Sequence, residues 1–348
     1  MRTVIAIPPM SRMTGGIAVL YQIADRLREL GRDVALAGTS GAPGLTDCET
    51  RGHAVIPWDA VMGRTGERAA LRDTDLFCVA EGWPNMMAPA FAAKARVLVY
   101  AQNWAYVFSA LPEGASWHKL PVSFLAVSHP VAHFVETMAN LPLAGTVRPA
   151  LDLSRFKPGI LPDASKSVRV AWMPRKNKAL AEQIMQIAGA MGGDRAAGRP
   201  RIEWVEIRNM VPEDVARTLG SCHIFLATGF PEGFALPPLE AMASGCLVVG
   251  FTGFGGWDYM RQAMPGRYTP RLEPRPVPWA GNGLFASDGD VMEAACLLRE
   301  AVAMLRGNTP EYQAVRAEGL KTAAAYTEAA QREAVRAVWE RLDSQADI

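Results

Sequence analysis

Cysteine is scarce in this chain. Five thiols, Cys48, Cys78, Cys222, Cys246 and Cys296, are scattered with no close pair. An odd, dispersed set gives neither a disulfide frame nor a structural zinc site, and it fits a reducing compartment. Long apolar runs are also missing: none approaches the roughly 18–20 residues that span a bilayer. The Met1–Ile7 stretch is cut off by Pro8 and Pro9 and is too short for a secretory signal. A soluble, cytoplasmic chain is therefore expected. Charge of one sign is lacking too, since the formal net charge is only +1. That excludes a nucleic-acid binder working by mass electrostatics. The first βα turn carries Gly15-Gly16 but no Gly-x-Gly-x-x-Gly, which disfavours a dehydrogenase. His129 and His133 are four apart but lack the acidic partner of a His-Glu-x-x-His helix, so no metal site is expected. Asp73-Thr-Asp75 stands at the amino end of a strand and reads as a turn.

What remains is a chain of 348 residues, 49% hydrophobic and 20% charged. That is enough for a sizeable core and about two domains. Apolar runs predict strands at Val4–Ile7, Val34–Ala37, Leu76–Ala80, Val97–Tyr100 and Phe124–Val127, each leading through a loop into a helical pattern. Ile17, Leu20, Ile23, Ala24 and Leu27 form the apolar stripe of the first helix. Residues 147–158 lack periodicity and read as a connector. The pattern then restarts with strands at Val168–Met173 and Ile202–Ile207, and helices at Ala179–Met191 and Glu213–Leu219. The expected fold is α/β, two successive Rossmann-like units with the hinge near residue 150. Between Gly253 and Gly283 lie five prolines and four arginines, a loop long enough to be either functional or disordered. Val291–Leu305 and Glu311–Leu342 read as helices.

The segment from Phe230 to Gly250 is the most informative. His223–Thr228 and Cys246–Phe251 read as buried strands that flank a turn and a short helix. Pro237 and Pro238 suit the first helical turn, and Gly245 suits the position just past its end. The backbone N–H groups of Phe234, Ala235 and Leu236 are then free at a helix N-terminus, an anion site. The helix dipole contributes only about 0.3–1 kcal/mol, so fixed cations are needed as well. Glu232 and Glu240 stand on either side of this turn. Read locally, they either complement the dipole and solvent or bind a ligand. A carboxylate at Glu240 could accept two ribose hydroxyls, as acidic residues do in dinucleotide folds.

Glu232 and Glu240, with seven residues between them in Pro-Glu-Gly-Phe-Ala-Leu-Pro-Pro-Leu-Glu-Ala-Met-Ala-Ser-Gly, resemble the Glu-x7-Glu signature of retaining GT-B glycosyltransferases of family 4 (glycosyl transferases group 1). Other landmarks fall in the same order along nearly the whole chain. They are the Gly15-Gly16 loop, the connector Leu151–Pro158, the basic cluster Met173–Lys178, and Asn282-Gly-Leu-Phe before Asp288-Gly-Asp290.

The resemblance implies two Rossmann-like domains facing a central cleft: residues 1–148 on the acceptor side and 149–324 binding the nucleotide sugar. A C-terminal helix at about 325–348 returns to the first domain. It implies a hexosyl or deoxyhexosyl transferase (EC 2.4) acting in polysaccharide biosynthesis, with no metal and no cofactor. The nucleotide sugar is the donor, and a glycan, lipid-linked or small-molecule acceptor receives the sugar. By position, Glu240 is implied to hold the ribose and Glu232 the donor sugar. Phe234, Ala235 and Leu236 offer N–H groups to the distal phosphate and the sugar. Arg175 and either Lys178 or Lys176 balance the diphosphate. The family's basic pair is Gly-Arg followed by lysine about five residues on, whereas here position 180 is Leu, so which lysine serves is open.

In the first domain, Gly15 and Gly16 are implied to let backbone approach the donor. Where the family often has a histidine, this chain has Gln102 and Asn103 as sugar-side candidates, with His129 after the next strand. Arg64, Arg68 and Arg72 would line one helix face, either solvated or in peripheral contact with anionic lipid at the inner face of the membrane. Two other readings stand beside the transferase: a sugar phosphorylase or epimerase of the same fold, and a catalytically silent subunit that only binds the sugar nucleotide.

Overall fold

The computed structural model describes residues 1–45, 52–64, 70–192 and 201–344. The chain divides into two compact units, Met1–Ala150 with Glu328–Ile348, and Leu151–Thr327. Both are α/β with parallel sheets.

The first unit holds β1 (Thr3–Ala6), β2 (Val34–Gly38), β3 (Ala54–Pro57), β4 (Leu76–Ala80), β5 (Arg96–Ala101), β6 (Val122–Ala126) and β7 (Leu143–Thr146). They pair in the order β3-β2-β1-β4-β5-β6-β7, all parallel. The central strands are buried along their whole length, as continuous apolar runs dictate when helices cover both faces. The first helix, Gly15–Glu29, starts where Thr14 accepts the N–H of Ile17. Its predicted apolar stripe is buried.

The final helix, Glu328–Ser344, is part of this first unit. Trp339 is fully buried, and its indole N–H donates to Thr3 Oγ1 at 2.8 Å. The helical stretch expected over Glu311–Leu342 is two helices, Pro310–Ala324 and Glu328–Ser344. The break at 325–327 is where the chain passes between units.

The second unit holds β8 (Ser167–Trp172), β9 (Arg201–Glu206), β10 (Ile224–Ala227), β11 (Leu247–Gly250) and β12 (Gly283–Phe285), in the order β12-β11-β10-β8-β9. All pairings are parallel. Sequence periodicity misses β3, β7 and β12. β3 is a half-exposed edge strand, β7 contains Gly145, and β12 is only three residues long.

The arginine stripe is corrected in part. Arg64 lies in a turn beyond the short helix Trp58–Val61 and pairs with Asp59 at 3.3 Å, while Arg72 is in irregular chain. Arg68 lies outside the described residues. Asp75 is a buried partner of Arg2 at 2.5 Å and also accepts the N–H of Arg72, in keeping with a structural turn. No helix among the described residues is long and apolar enough to cross a membrane.

Candidate functional site

Ligands of open parallel sheets bind at the carboxyl ends of the strands, at the point where strand order reverses. In the second unit that point lies between β8 and β10, which are neighbours although β9 intervenes in sequence. The loop after β8 is Met173–Asn177 and the loop after β10 is Thr228–Ala235, so the basic cluster and the first glutamate meet there. Lys176 Nζ forms an ion pair with Glu232, and the Glu232 side chain is 13% exposed. The loops are also stitched by backbone. The Thr228 hydroxyl donates to the Lys176 carbonyl, and the Asn177 side-chain amide donates to the carbonyls of Thr228 and Phe230, each at 2.9 Å. Asn177, in the left-handed region at φ 61°, is thus a structural clamp inside the basic cluster.

Lys178 is placed differently. It opens the helix Lys178–Gly192, is exposed, and pairs with Glu182 one turn on at 3.5 Å. Arg175 is exposed in the same loop.

The helix Leu236–Ala243 starts with Ala235 as its N-cap in the left-handed conformation. Among the described residues, the N–H groups of Phe234, Ala235 and Leu236 donate to no protein acceptor. Ala235 is held by the Tyr259 hydroxyl, which donates to its carbonyl at 2.5 Å. Left-handed backbone at a non-glycine residue costs about 1–3 kcal/mol, so surrounding contacts must impose it. Glu240 sits in this helix and is partly exposed. Burial pushes its carboxyl up to about 7, against the pull of Arg175, Arg155 and Lys176. Three cations therefore act on a carboxylate that burial makes costly to ionise, a combination typical of sites built for function.

The Pro/Arg-rich segment 253–283 is an ordered scaffold behind this turn. Gly253 accepts the N–H of Glu232 at 2.9 Å, and Gly255 donates to the Glu232 carbonyl at 3.0 Å. A Cβ on Gly255 would lie 2.2 Å from the carbonyl carbon of Gly233. Gly255→Ala is therefore expected to displace the Glu232–Gly233 turn, at a cost of about 1–3 kcal/mol. Thermal melting of the variant checks it, and an unchanged melting temperature would refute the scaffold role. Arg261 is tied to the carbonyls of Trp257, Met260 and Arg275, and the Asn282 side chain bridges Tyr259 and Thr322.

In the first unit the strand order reverses between β1 and β4. Gly15 and Gly16 open the helix after β1. The Gln102 side chain, after β5, donates to the Gly16 carbonyl at 2.9 Å, and a Cβ on Gly16 would meet Gln102 Oε1 at 2.4 Å. Asn103 caps its own helix by accepting the N–H of Ala105 at 3.0 Å. His129 is half-buried at the start of the helix that Ser128 caps.

A residue the sequence did not flag organises this edge. Glu81, at the end of β4, is buried and accepts the N–H groups of Gln102 and Asn103 at 3.0 and 2.8 Å. Burial pushes its carboxyl up to about 7. The only available signal was an acidic residue directly after an apolar strand. Among the described residues no cluster of three His, Cys, Asp or Glu could hold a metal.

Residues 169–273 match the family model "Glycosyl transferases group 1". An alpha-1,6-glucosyltransferase of Actinobacillus pleuropneumoniae serotype 7 (strain AP76) is 40% identical over 53 residues, 15% of this chain and 16% of that protein. The match thus spans less than a fifth of that relative's length. Among solved structures, HepE of Anabaena in complex with UDP and glucose superposes with a TM-score of 0.63 at 13% identity, covering 100% of this chain and 99% of the other. The lipopolysaccharide outer core galactosyltransferase WaaB gives a TM-score of 0.63 at 10% identity, covering 97% and 99%. Sucrose-phosphate synthase from Thermosynechococcus elongatus gives 0.60 at 11%, covering 99% and 100%. At such identities the structures establish the fold, which is GT-B.

Proposed function

We propose that the protein is a retaining glycosyltransferase that moves a sugar from a nucleoside diphosphate sugar to an acceptor hydroxyl without a metal ion. The observation that carries this reading is the convergence at one switch point of Lys176, Glu232 and a helix N-terminus with undonated N–H groups, with Glu240 behind them. A sugar diphosphate has parts that match each group. Its distal phosphate suits the N–H groups of Phe234, Ala235 and Leu236. Its ribose suits Glu240, and its sugar hydroxyls suit Glu232. Lys176 and Arg175 supply the countercharge that a metal supplies elsewhere. UDP, found with HepE of Anabaena, is the first nucleotide to test.

Chemistry follows from charge. As the glycosidic bond to the phosphate breaks, negative charge grows on the leaving oxygen. Fixed cations and N–H dipoles stabilise that charge more in the transition state than in the ground state. Lys176 starts paired with Glu232, so a donor must exchange that pairing for one between Lys176 and phosphate and one between Glu232 and sugar hydroxyls. Both charges stay partnered throughout. The acceptor hydroxyl attacks from the face that the phosphate leaves, and the departing phosphate takes its proton. Glycan and lipid-linked hydroxyls are the acceptor classes in view.

The test is a thermal-shift and calorimetric screen of UDP, GDP and ADP sugars with chelator present. Tight ligands raise stability by mass action. One nucleotide sugar is expected to bind and to be hydrolysed slowly, with the anomeric configuration retained in the product. Donor that binds without hydrolysis or transfer to any acceptor would instead identify a silent binding subunit. An absolute requirement for a divalent ion would overturn the role given to Lys176 and Arg175.

A further inference from the structure

Tyr326 lies in the three-residue break between the last two helices, and nothing in the reaction outlined above uses it. It is buried, 4% exposed. Its ring packs edge-on against Phe234, with centroids 5.4 Å apart. It also packs against Tyr259 at 5.8 Å and Trp279 at 6.2 Å. Its hydroxyl donates to Asp258 Oδ2 at 2.8 Å and accepts from Arg275 at 2.9 Å. Its carbonyl accepts the N–H of Leu151 at 2.7 Å. Leu151 and Thr327 are the terminal residues of the second unit. One residue is therefore shared by the aromatic cluster around Phe234, the ion pair of half-buried Arg275 with buried Asp258, and the segments where the chain enters and leaves the unit.

We propose that Tyr326 is a positioning residue for the diphosphate: it fixes the Phe234 ring so that the N–H groups of Phe234, Ala235 and Leu236 stay aimed at the distal phosphate. The inference rests on the glycosyltransferase reading of that turn. Among the described residues, Phe234 has Tyr259 and Tyr326 as aromatic neighbours. Tyr259 already holds the next residue through the Ala235 carbonyl. The geometry of the turn therefore depends on both rings keeping their places. Tyr259 is secured by the Trp279 indole N–H and the Asn282 amide, each donating to its carbonyl at 2.8 Å. Tyr326 lies outside any helix and is secured by its hydroxyl bonds and the Leu151 contact. Asp258 is fully buried and Arg275 lies 5.7 Å from the Trp279 ring, so the anchor of the hydroxyl is itself rigid. Preorganised donors avoid a reorganisation cost on binding, which is where such a ring acts.

The role separates from plain core packing by which part of the nucleotide it affects. The ribose falls to Glu240, in the helix after the turn, whereas the distal phosphate falls to the turn itself. Calorimetric titrations at low temperature with UDP and UMP (or the diphosphate and monophosphate of whichever base the wild type binds) are compared for wild type, Tyr326→Phe and Tyr326→Ala. Tyr326→Ala is expected to weaken the diphosphate about tenfold, equivalent to about 1.4 kcal/mol, and the monophosphate less than about twofold. Tyr326→Phe keeps the ring and loses the anchor. It should fall between the two, which covers the case in which Tyr326→Ala does not fold. Equal affinities in wild type and both variants would overturn the inference and leave the functional reading intact, as would parallel loss of both nucleotides. A wild type that binds no nucleoside diphosphate would overturn the functional reading, and this inference with it.

Discussion

Lys176→Ala is expected to lower kcat/KM with the nucleotide sugar roughly 10- to 150-fold, because a charge-assisted hydrogen bond contributes about 1.5–3 kcal/mol. Lys178→Ala, by contrast, should stay within about twofold. The sequence alone left the two lysines interchangeable. Their surroundings differ: Lys176 faces Glu232 at the switch point, while Lys178 is exposed and spends its charge on Glu182 at 3.5 Å along its own helix. An exposed i,i+4 pair contributes only about 0.3–0.5 kcal/mol, so losing it costs little. Lys176→Ala also leaves Glu232 without its cation. Steady-state kinetics of the two variants, with Glu232→Gln alongside, check the assignment. If Lys178→Ala proved the more damaging, the donor would have to approach from the helix face, and the switch-point site would be wrong.

The second large effect has opposite signs on binding and stability. Glu240→Gln is expected to weaken nucleotide binding about tenfold or more, since a carboxylate accepting two hydroxyls makes charge-assisted bonds. The same change should stabilise the free protein above neutral pH. Burial raises the Glu240 carboxyl from 4.5 to about 7. The folded state therefore holds its proton more tightly than the unfolded state does. Stability from this group is fully present below about 4.5, declines as pH rises to about 7, and stays lost above that. At about 1.4 kcal/mol per pH unit the full cost would be on the order of 3 kcal/mol. Screening reduces it, because Glu240 keeps some solvent access. The difference in melting temperature between variant and wild type should be small at pH 4.5 and favour the variant at pH 8. Wild-type nucleotide affinity should rise between pH 6 and 8, while that of the variant stays flat. A variant destabilised at pH 8 would mean that Glu240 caps its helix and does not serve a ligand. Stability gained on removing a desolvated carboxylate, at the expense of binding, is the expected trade at a functional site.

Much of this was legible in the order of residues. Strands buried on both faces must be continuous apolar runs, so β1, β4, β5, β8, β10 and β11 announced themselves. Proline at the start and glycine at the end fixed the short helix Leu236–Ala243 within a residue. β3, β7 and β12 did not, because an edge strand, a strand interrupted by glycine and a three-residue strand carry too little periodicity to read. The chain divides after Ala150, where the sequence put a hinge near residue 150 and the resemblance implied a first domain of 1–148. The Pro/Arg-rich segment looked like an open choice between function and disorder. Its order comes from partners remote in sequence, such as Asn282 with Thr322 and Arg275 with Tyr326.

Gln102 and Asn103 show the same limit from the other side. Their residue types invite a role in sugar binding, while the fold gives each a structural bond, Gln102 to the Gly16 carbonyl and Asn103 as a helix cap. Glu81, which holds both backbones, was inconspicuous. A single carboxylate after a strand has no pattern around it, and its importance comes from desolvation and from two N–H groups that arrive from a neighbouring strand.

By itself, then, the sequence determined the class of fold, its two successive α/β patterns, and a turn with a helix start between two carboxylates. These depend on local rules: periodicity, the missing N–H of proline, and the helix terminus. Tertiary structure alone decided which lysine meets Glu232, why Ala235 tolerates a left-handed backbone, and how Tyr326 joins that turn to the ends of the unit. Each of these is set by contacts between residues 24 to 175 positions apart. Parallel strand order and burial bring such residues together, and no local pattern encodes which of them will meet.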